Sequence, residues 1–220
     1  NGHGTFLASV AAGGENIQEG FTGAASEAEI AVVKLKEAKD YLRKFYGIRQ
    51  KAVCYQETDI VQGLRYLHLL ALKKQKPLVM CVALGTNLGG HNGMSSLSRI
   101  LGSYSRLVDR CVVIGGGNEA NERHHFQGKL NQVGEVQEVE MRVESGNTGF
   151  VAELWGTIPN IVTAYLISPS GERSPVISIR QGSRYQLTFP FEQTVVDVEY
   201  QLFLRDGRSQ LLFLKFDHPA

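Results

Sequence analysis

Two side chains in this sequence are set where acid–base or charge-stabilising chemistry could be done. His3 stands between two glycines and ahead of Thr5, in "NGHGTFLASVAAGG" (1–14). A hydroxyl is a poor nucleophile until a neighbouring base takes its proton, and an imidazole is suited to that task. Asn118 closes "CVVIGGGN" (111–118) and is followed by Glu119. A carboxamide can donate hydrogen bonds to a group that gathers negative charge. Taken alone, a Gly-His-Gly is an ordinary loop and a Gly-Asn-Glu an ordinary turn. His91 with the adjacent His124 and His125 could suggest a metal centre, but no carboxylate or cysteine completes a ligand spacing. The paired histidines read instead as hydrogen-bonding residues of the loop after Asn118. Ser95, in "GMSSL" (93–97), imitates a nucleophile motif, yet its place just ahead of a helical pattern makes it a helix cap.

The elements that must position these groups follow from periodicity. Residues 5–13 are small and apolar and suit a helix that opens at His3. "AEIAVVKLK" (28–36) is β-branched and apolar and reads as a buried strand. Over 58–75, Ile60, Val61, Leu64, Leu67, Leu70 and Ala71 fall on one helical face. Thr58 or Asp59 is expected to cap that helix, and Lys73, Lys74 and Lys76 suit its C-terminal dipole. Residues 77–85 read as a second strand, 95–110 as another helix, and 111–118 as a third strand running into glycines. This alternation implies an α/β fold: a parallel sheet with helices on both faces. Sites in such sheets form at the carboxyl ends of the strands, where Ala83, Leu84, Gly85 and Gly115, Gly116, Gly117 lie.

From 134 the texture changes. Residues 135–144, 149–156, 161–172, 175–191, 195–204 and 210–216 favour strands, separated by turn signals such as "SPSGE" and "RDGRS". An all-β jelly roll or β-sandwich is expected there, so the chain divides into an α/β part at 1–133 and an all-β part at 134–220. Trp155 and the aromatic side chains Tyr185, Phe189, Phe191, Tyr200 and Phe203 are expected in its packing, with a carbohydrate-binding face as the alternative for the latter five. The chain has 220 residues, 43% hydrophobic and 20% charged, with formal net charge +1. Nothing there points to nucleic acid or an anionic membrane as partner, and no apolar run is long enough to span a bilayer. Of three cysteines, Cys81 and Cys111 sit in apolar runs and are expected in the core, Cys54 is left open, and no disulfide scaffold is implied.

Four segments occur in one order: "GHGTFLASVAAGG", "GAASEAEIAVVKLK" (23–36), a strand ending "ALG" (83–85) and a strand ending "GGGNE" (115–119). That order resembles the subtilisin-like serine proteases. Their motifs read G-H-G-T-H-V-A-G, G-V-A-P-x-A-x-[IL]-x-x-V-[KR]-V, S-L-G and A-A-G-N-E-G. "ALGTNLGGHNGMSSL" (83–97) and "GGGNEANERHH" (115–125) resemble the Csp-like, clostridial germination branch. That branch carries a jelly-roll domain between the oxyanion asparagine and the nucleophilic serine, the interval into which residues 134–220 fall. The resemblance implies His3 as general base and Asn118 as oxyanion donor. It implies Ala83, Leu84 and Gly85 as the strand that pairs with substrate backbone, and Gly115, Gly116 and Gly117 as a wall for a substrate side chain. A peptide or protein substrate, the chain's own prodomain as a further partner, and a bacterial spore-associated or secreted location go with it. No cofactor is implied. Structural calcium is common on subtilisin loops, but "GGENIQEG" (13–20) offers too few carboxylates to claim a site.

The sequence also departs from the family pattern. Phe6 replaces a second histidine, Ser9 a glycine, Ala83 the serine of S-L-G, and Ala120 the glycine after Asn-Glu. The family's aspartate motif D-[ST]-G and nucleophile motif G-T-S-x-A-x-P do not occur in these residues, and "LLFLKFDHPA" leads, in the family, into a closing strand. The expectation is therefore a fragment of a serine endopeptidase, inactive by itself. The alternative is a subtilase-shaped pseudoprotease acting as a binding or signalling scaffold in germination.

Overall fold

The computed structural model describes residues 2–202 and 208–219. Phe203, the end of the expected strand 195–204 and Gly207 of the expected turn lie outside the described residues, as does Asn1. The elements run α1 (His3–Ala12), α2 (Asp40–Phe45), α3 (Glu57–Lys74), β1 (Leu78–Val82), α4 (Ser96–Ser105), β2 (Arg110–Ile114), β3 (Gly149–Thr157), β4 (Ser183–Phe189), β5 (Thr194–Gln201) and β6 (Ser209–Asp217). They form a mixed α/β arrangement. A two-stranded parallel sheet, β1–β2, lies with helices, and a four-stranded antiparallel sheet has the order β3-β6-β5-β4.

The parallel sheet has one covered face. Leu64 of α3 and Leu101 of α4 bury against Met80 and Val82, with Ile60, Leu97 and Val112 packed around them. The partners Val79↔Cys111 and Cys81↔Val113 share the other face, where Val79 is 67% exposed. Cys81 and Cys111 are thus exposed free thiols, not core residues, and Cys54 is half-buried. An apolar run reports that a strand is hydrophobic, while only the packing of helices decides which of its two faces is covered.

Residues 28–36 join no ladder. Val33 and Leu35 lie against Gly63 of α3, the former 3.0 Å from an ideal Cβ there, whereas Ile30 and Val32 are exposed. The alternation is that of a strand, but among the described residues no neighbouring strand supplies its hydrogen bonds. Lys74 and Lys76 both pair with Glu29 at the head of this segment and hold its carboxyl down to about 2. The cap of α3 also differs from expectation. Gln56 is the N-cap, without a side-chain cap bond, and its Nε2 donates to Thr58 Oγ1 at 2.8 Å. Ser95 does cap α4, accepting from Ser98 N at 3.1 Å.

In the antiparallel part, residues 135–144 form no strand, and 161–179 supplies an extended hairpin. Its bonds run from Ile177 N to Ala164 O, from Ser174 N to Leu166 O and from Ser168 N to Glu172 O, at 2.8–2.9 Å. This hairpin covers one sheet face through Ile177, Ala164 and Leu166, against Phe189, Val196, Val198, Tyr200, Leu212, Leu214 and Phe216. The packing role expected for Tyr185, Phe189 and Tyr200 is observed, while Phe191 is exposed. Glu192 accepts from Ser170 N at 3.0 Å and ties down the hairpin turn, and the Ser170 and Ser168 side chains beside it hold its carboxyl down to about 2.

The opposite face of this sheet docks on the α/β part. Register places Glu153 beside Phe213 and Trp155 beside Leu211 on that face. Phe213 stacks on Phe45 of α2 at 5.9 Å. Gly47, at φ +64°, lies so close to the Gly149 carbonyl that any Cβ would collide with it.

Arg43 organises the segment 37–52 that carries Phe45 and Gly47 to the sheet. It is buried, and its guanidinium donates to the carbonyls of Ala52 (2.8 Å), Arg49 (3.3 Å) and Ala38 (3.4 Å) and to Glu37 Oε2 (3.1 Å). A buried guanidinium is tolerated only when its donors are matched, and its removal orphans the acceptors. Arg43→Ala is expected to destabilise by about 2–3 kcal/mol, and Arg43→Lys by less, since an ammonium cannot span the same fork. Denaturant titration checks both; equal losses for the two variants would contradict the fork.

Candidate active site

The two stretches expected to meet substrate do lie side by side. β1 and β2 are parallel and in register from Leu78↔Arg110 to Val82↔Ile114, so both chains leave at one carboxyl edge. Gly115 N donates to Val82 O at 3.1 Å, and a Cβ on Gly115 would lie 3.8 Å from Ala83 Cα. Ala83 and Leu84 are half-buried, with Leu84 packed on the α3–α4 core, and Gly85 is exposed. Space beside Gly116 and Gly117 is open, and Gly117 takes φ +82°, a conformation that a side chain would strain. An exposed strand end followed by open glycines can receive an extended peptide with room for one of its side chains.

Asn118 follows directly and is exposed. Its loop is tied to the loop leaving β1. Asn87 Nδ2 donates to Glu119 Oε2 at 2.7 Å, and His124 Nδ1 donates to the same oxygen at 3.1 Å. These two bonds, Asn87 first, hold the Glu119 carboxyl below its ordinary value. His91 Nε2 donates to Asn87 O at 3.2 Å, and the His91 and His125 rings stack at 4.6 Å. The histidines therefore act as loop hydrogen-bonding and stacking residues, and no metal-holding group of histidine, cysteine or carboxylate occurs among the described residues.

His3 is placed differently. It opens α1 and is exposed. The helix is held at its C-terminal end, where residues 23–25 donate to the carbonyls of Gly13, Val10 and Ala11 at 2.9–3.0 Å. A Cβ at Gly23 would strike Ser9 O at 2.7 Å, so only glycine fits this close approach. Among the described residues α1 packs against no other named helix or strand. The structure thus brings together the residues after β1 and β2.

A family model described as "Subtilase family" matches residues 1–190. The chain belongs to the subtilase family. Among solved structures it is similar to the Clostridium perfringens CspB protease, with a TM-score of 0.81 at 24% identity. That likeness covers 98% of this chain, and the chain spans 42% of the CspB chain. No curated protein matches. Subtilase membership carries serine-peptidase ancestry, and the CspB likeness extends to the joined parallel and antiparallel sheets.

Several contacts of the site were not anticipated from sequence. Glu153 Oε2 of β3 accepts from Gly89 N at 2.7 Å and from Trp155 Nε1 at 2.8 Å. The indole of Trp155 lies over Gly90, 2.9 Å from where a Cβ would stand. Asn92 Nδ2 donates to Ser209 Oγ at 3.3 Å. Burial, with the Glu153 and Glu57 charges adding to it, raises the Tyr46 phenol above its ordinary value. Trp155 is therefore a docking residue, not an interior one. Strand periodicity assigns it a face, but nothing in the sequence says that this face meets a glycine loop.

Proposed function

We propose that this chain is the histidine- and asparagine-bearing portion of a subtilisin-like serine endopeptidase. In this reading His3 takes the proton from a serine hydroxyl as it attacks the peptide carbonyl and returns it to the leaving amine. An aspartate orients the imidazole, and serine and aspartate are supplied from outside the motifs of this chain. The Asn118 carboxamide donates to the tetrahedral oxyanion. Residues Ala83–Gly85 pair with the substrate backbone, and Gly115–Gly117 wall a side-chain pocket. The substrate is a peptide or protein. The boundary between catalytic portion and β insert falls at 133/134.

The observation that supports this most is the shared edge: Gly115 N bonded to Val82 O, with Asn118 three residues further on. This adjacency is what the reading requires of a peptide-pairing strand and an oxyanion donor. The test is hydrolysis of chromogenic peptides by the full-length protein, as wild type and as Asn118→Ala. Loss of one oxyanion donor is expected to lower kcat by about 10²–10³-fold with KM little changed. A full-length protein that cleaves no peptide, or an N118A variant with unaltered kcat, would overturn the reading.

A further inference from the structure

We propose that Glu153 is a positioning residue that joins the antiparallel sheet to the substrate-binding edge. This rests on the reading of that edge as a peptide site. Glu153 stands on the docking face of β3, opposite Phe213. One of its carboxylate oxygens takes two N–H donors. The first is the Trp155 indole (2.8 Å), which fixes that ring over Gly90. The second is Gly89 N (2.7 Å), in the loop leaving β1.

Gly89 sits at φ +104°, a conformation closed to ordinary side chains, so the loop's shape here is imposed through its backbone. Two residues earlier the same loop presents Asn87, whose side chain binds Glu119 at 2.7 Å and whose carbonyl accepts from His91 at 3.2 Å. Glu119 is the immediate neighbour of Asn118. A continuous run of short contacts therefore leads from the β3 face through Gly89 and Asn87 to the asparagine loop.

An exposed loop with few backbone bonds takes one conformation only if something external fixes it. Most of the loop's remaining bonds are internal: Leu88 N to Thr86 Oγ1 and Met94 N to Asn92 Oδ1. The ties from outside come from Glu153 and Trp155 on one side, Ser209 at its far end, and Glu119, His124 and the stacked His125 ring on the other. The antiparallel sheet thus acts as a brace for the peptide edge, and Glu153 is the group through which the brace grips.

The experiment is a comparison of the full chain with Glu153→Ala, Glu153→Gln and Asn87→Ala, read by backbone 15N order parameters. In E153A, values at 86–92 and at 117–124 are expected to fall from about 0.85 toward 0.6, with β3–β6 unchanged. E153Q keeps an acceptor oxygen and is expected to restore most of the order. N87A, which leaves the sheet untouched, is expected to loosen 117–124 while Gly89 stays ordered. Wild-type order at 117–124 in both E153A and N87A would overturn the proposal, as would uniform loosening of the sheet in E153A. If E153A does not fold, Glu153→Met, which keeps the side chain's length without an acceptor oxygen, is read in the same way. In the full-length protein, E153A is expected to raise KM for peptides about tenfold more than it lowers kcat. These order parameters need no catalysis, so a protein that hydrolyses nothing would refute the protease reading and leave the brace standing.

Discussion

Replacing His3 with alanine in the full-length protein is expected to lower kcat for peptide hydrolysis by about 10⁶-fold, the order found for the general base of another subtilase. Two features make this a clean test of chemistry. His3 is an exposed residue at the first position of α1, and that helix buries no side chain. Its truncation should therefore cost no more than a surface residue with a single partner, about 1 kcal/mol, or a few degrees of thermal midpoint. The loss should also fall on acylation itself: without a base the serine proton has no acceptor, while the backbone groups of Ala83–Gly85 still bind the peptide. KM is then expected within a few-fold of wild type, and no burst of acyl product should appear on mixing. The contrast with Asn118→Ala is in the residual rate. Removing the oxyanion donor leaves the proton path intact and forfeits about 10²–10³-fold. If H3A retains more than a hundredth of the wild-type kcat, His3 is not the base. If it loses activity with a large fall in thermal midpoint, its role is structural.

What the sequence could and could not reveal is clearest at particular residues. The order of β1, α4 and β2, the Ser95 cap and the carboxyl-edge position of Ala83–Gly85 and Gly115–Asn118 were legible because they are local. Apolar runs, a capping serine and a glycine string each act within a few residues. The exposure of Cys81 and Cys111 was not legible, because facing depends on helices that cover Met80 and Val82 and leave Val79 open. Residues 28–36 carry a strand's composition but lack a partner strand, and pairing is a property of two segments. The Glu153–Gly89 and Asn87–Glu119 bonds join residues 64 and 32 positions apart, and no periodicity encodes such a meeting. The histidines show the same limit. Counting ligand spacings left His124 without a carboxylate, while the fold sets Glu119 at 3.1 Å from it, as a hydrogen-bond acceptor.

The largest stability effect is expected at Gln210. It is 1% exposed on the core face of β6, an unusual place for a carboxamide. Its Oε1 accepts from Tyr200 OH at 2.7 Å and from Val162 N at 3.2 Å, and its Nε2 donates to Asn160 O at 2.6 Å. The side chain therefore bonds the hairpin segment 160–162 to the sheet where no ladder runs between them. Gly156, its cross-strand partner, leaves room for it: a Cβ there would lie 2.6 Å from Nε2. Gln210→Leu preserves bulk but orphans Val162 N and Asn160 O inside the core, while the Tyr200 hydroxyl keeps Val162 O at 2.9 Å. Such groups cost about 1–3 kcal/mol each. A loss of about 3–4 kcal/mol is expected, which for a chain of this size lowers the thermal midpoint by roughly 6–16 °C. The double variant Tyr200→Phe/Gln210→Leu separates network from packing. The Tyr200–Gln210 bond is lost in each single variant but only once in the double, so the double variant should be more stable than the sum of the two single losses predicts, by about 1 kcal/mol. Strict additivity would mean that Gln210 only fills space. A midpoint within 2 °C of wild type for Q210L, on the scale just given, would mean that water reaches Val162 N and Asn160 O, and that the hairpin is held by Ile177, Ala164 and Leu166 alone.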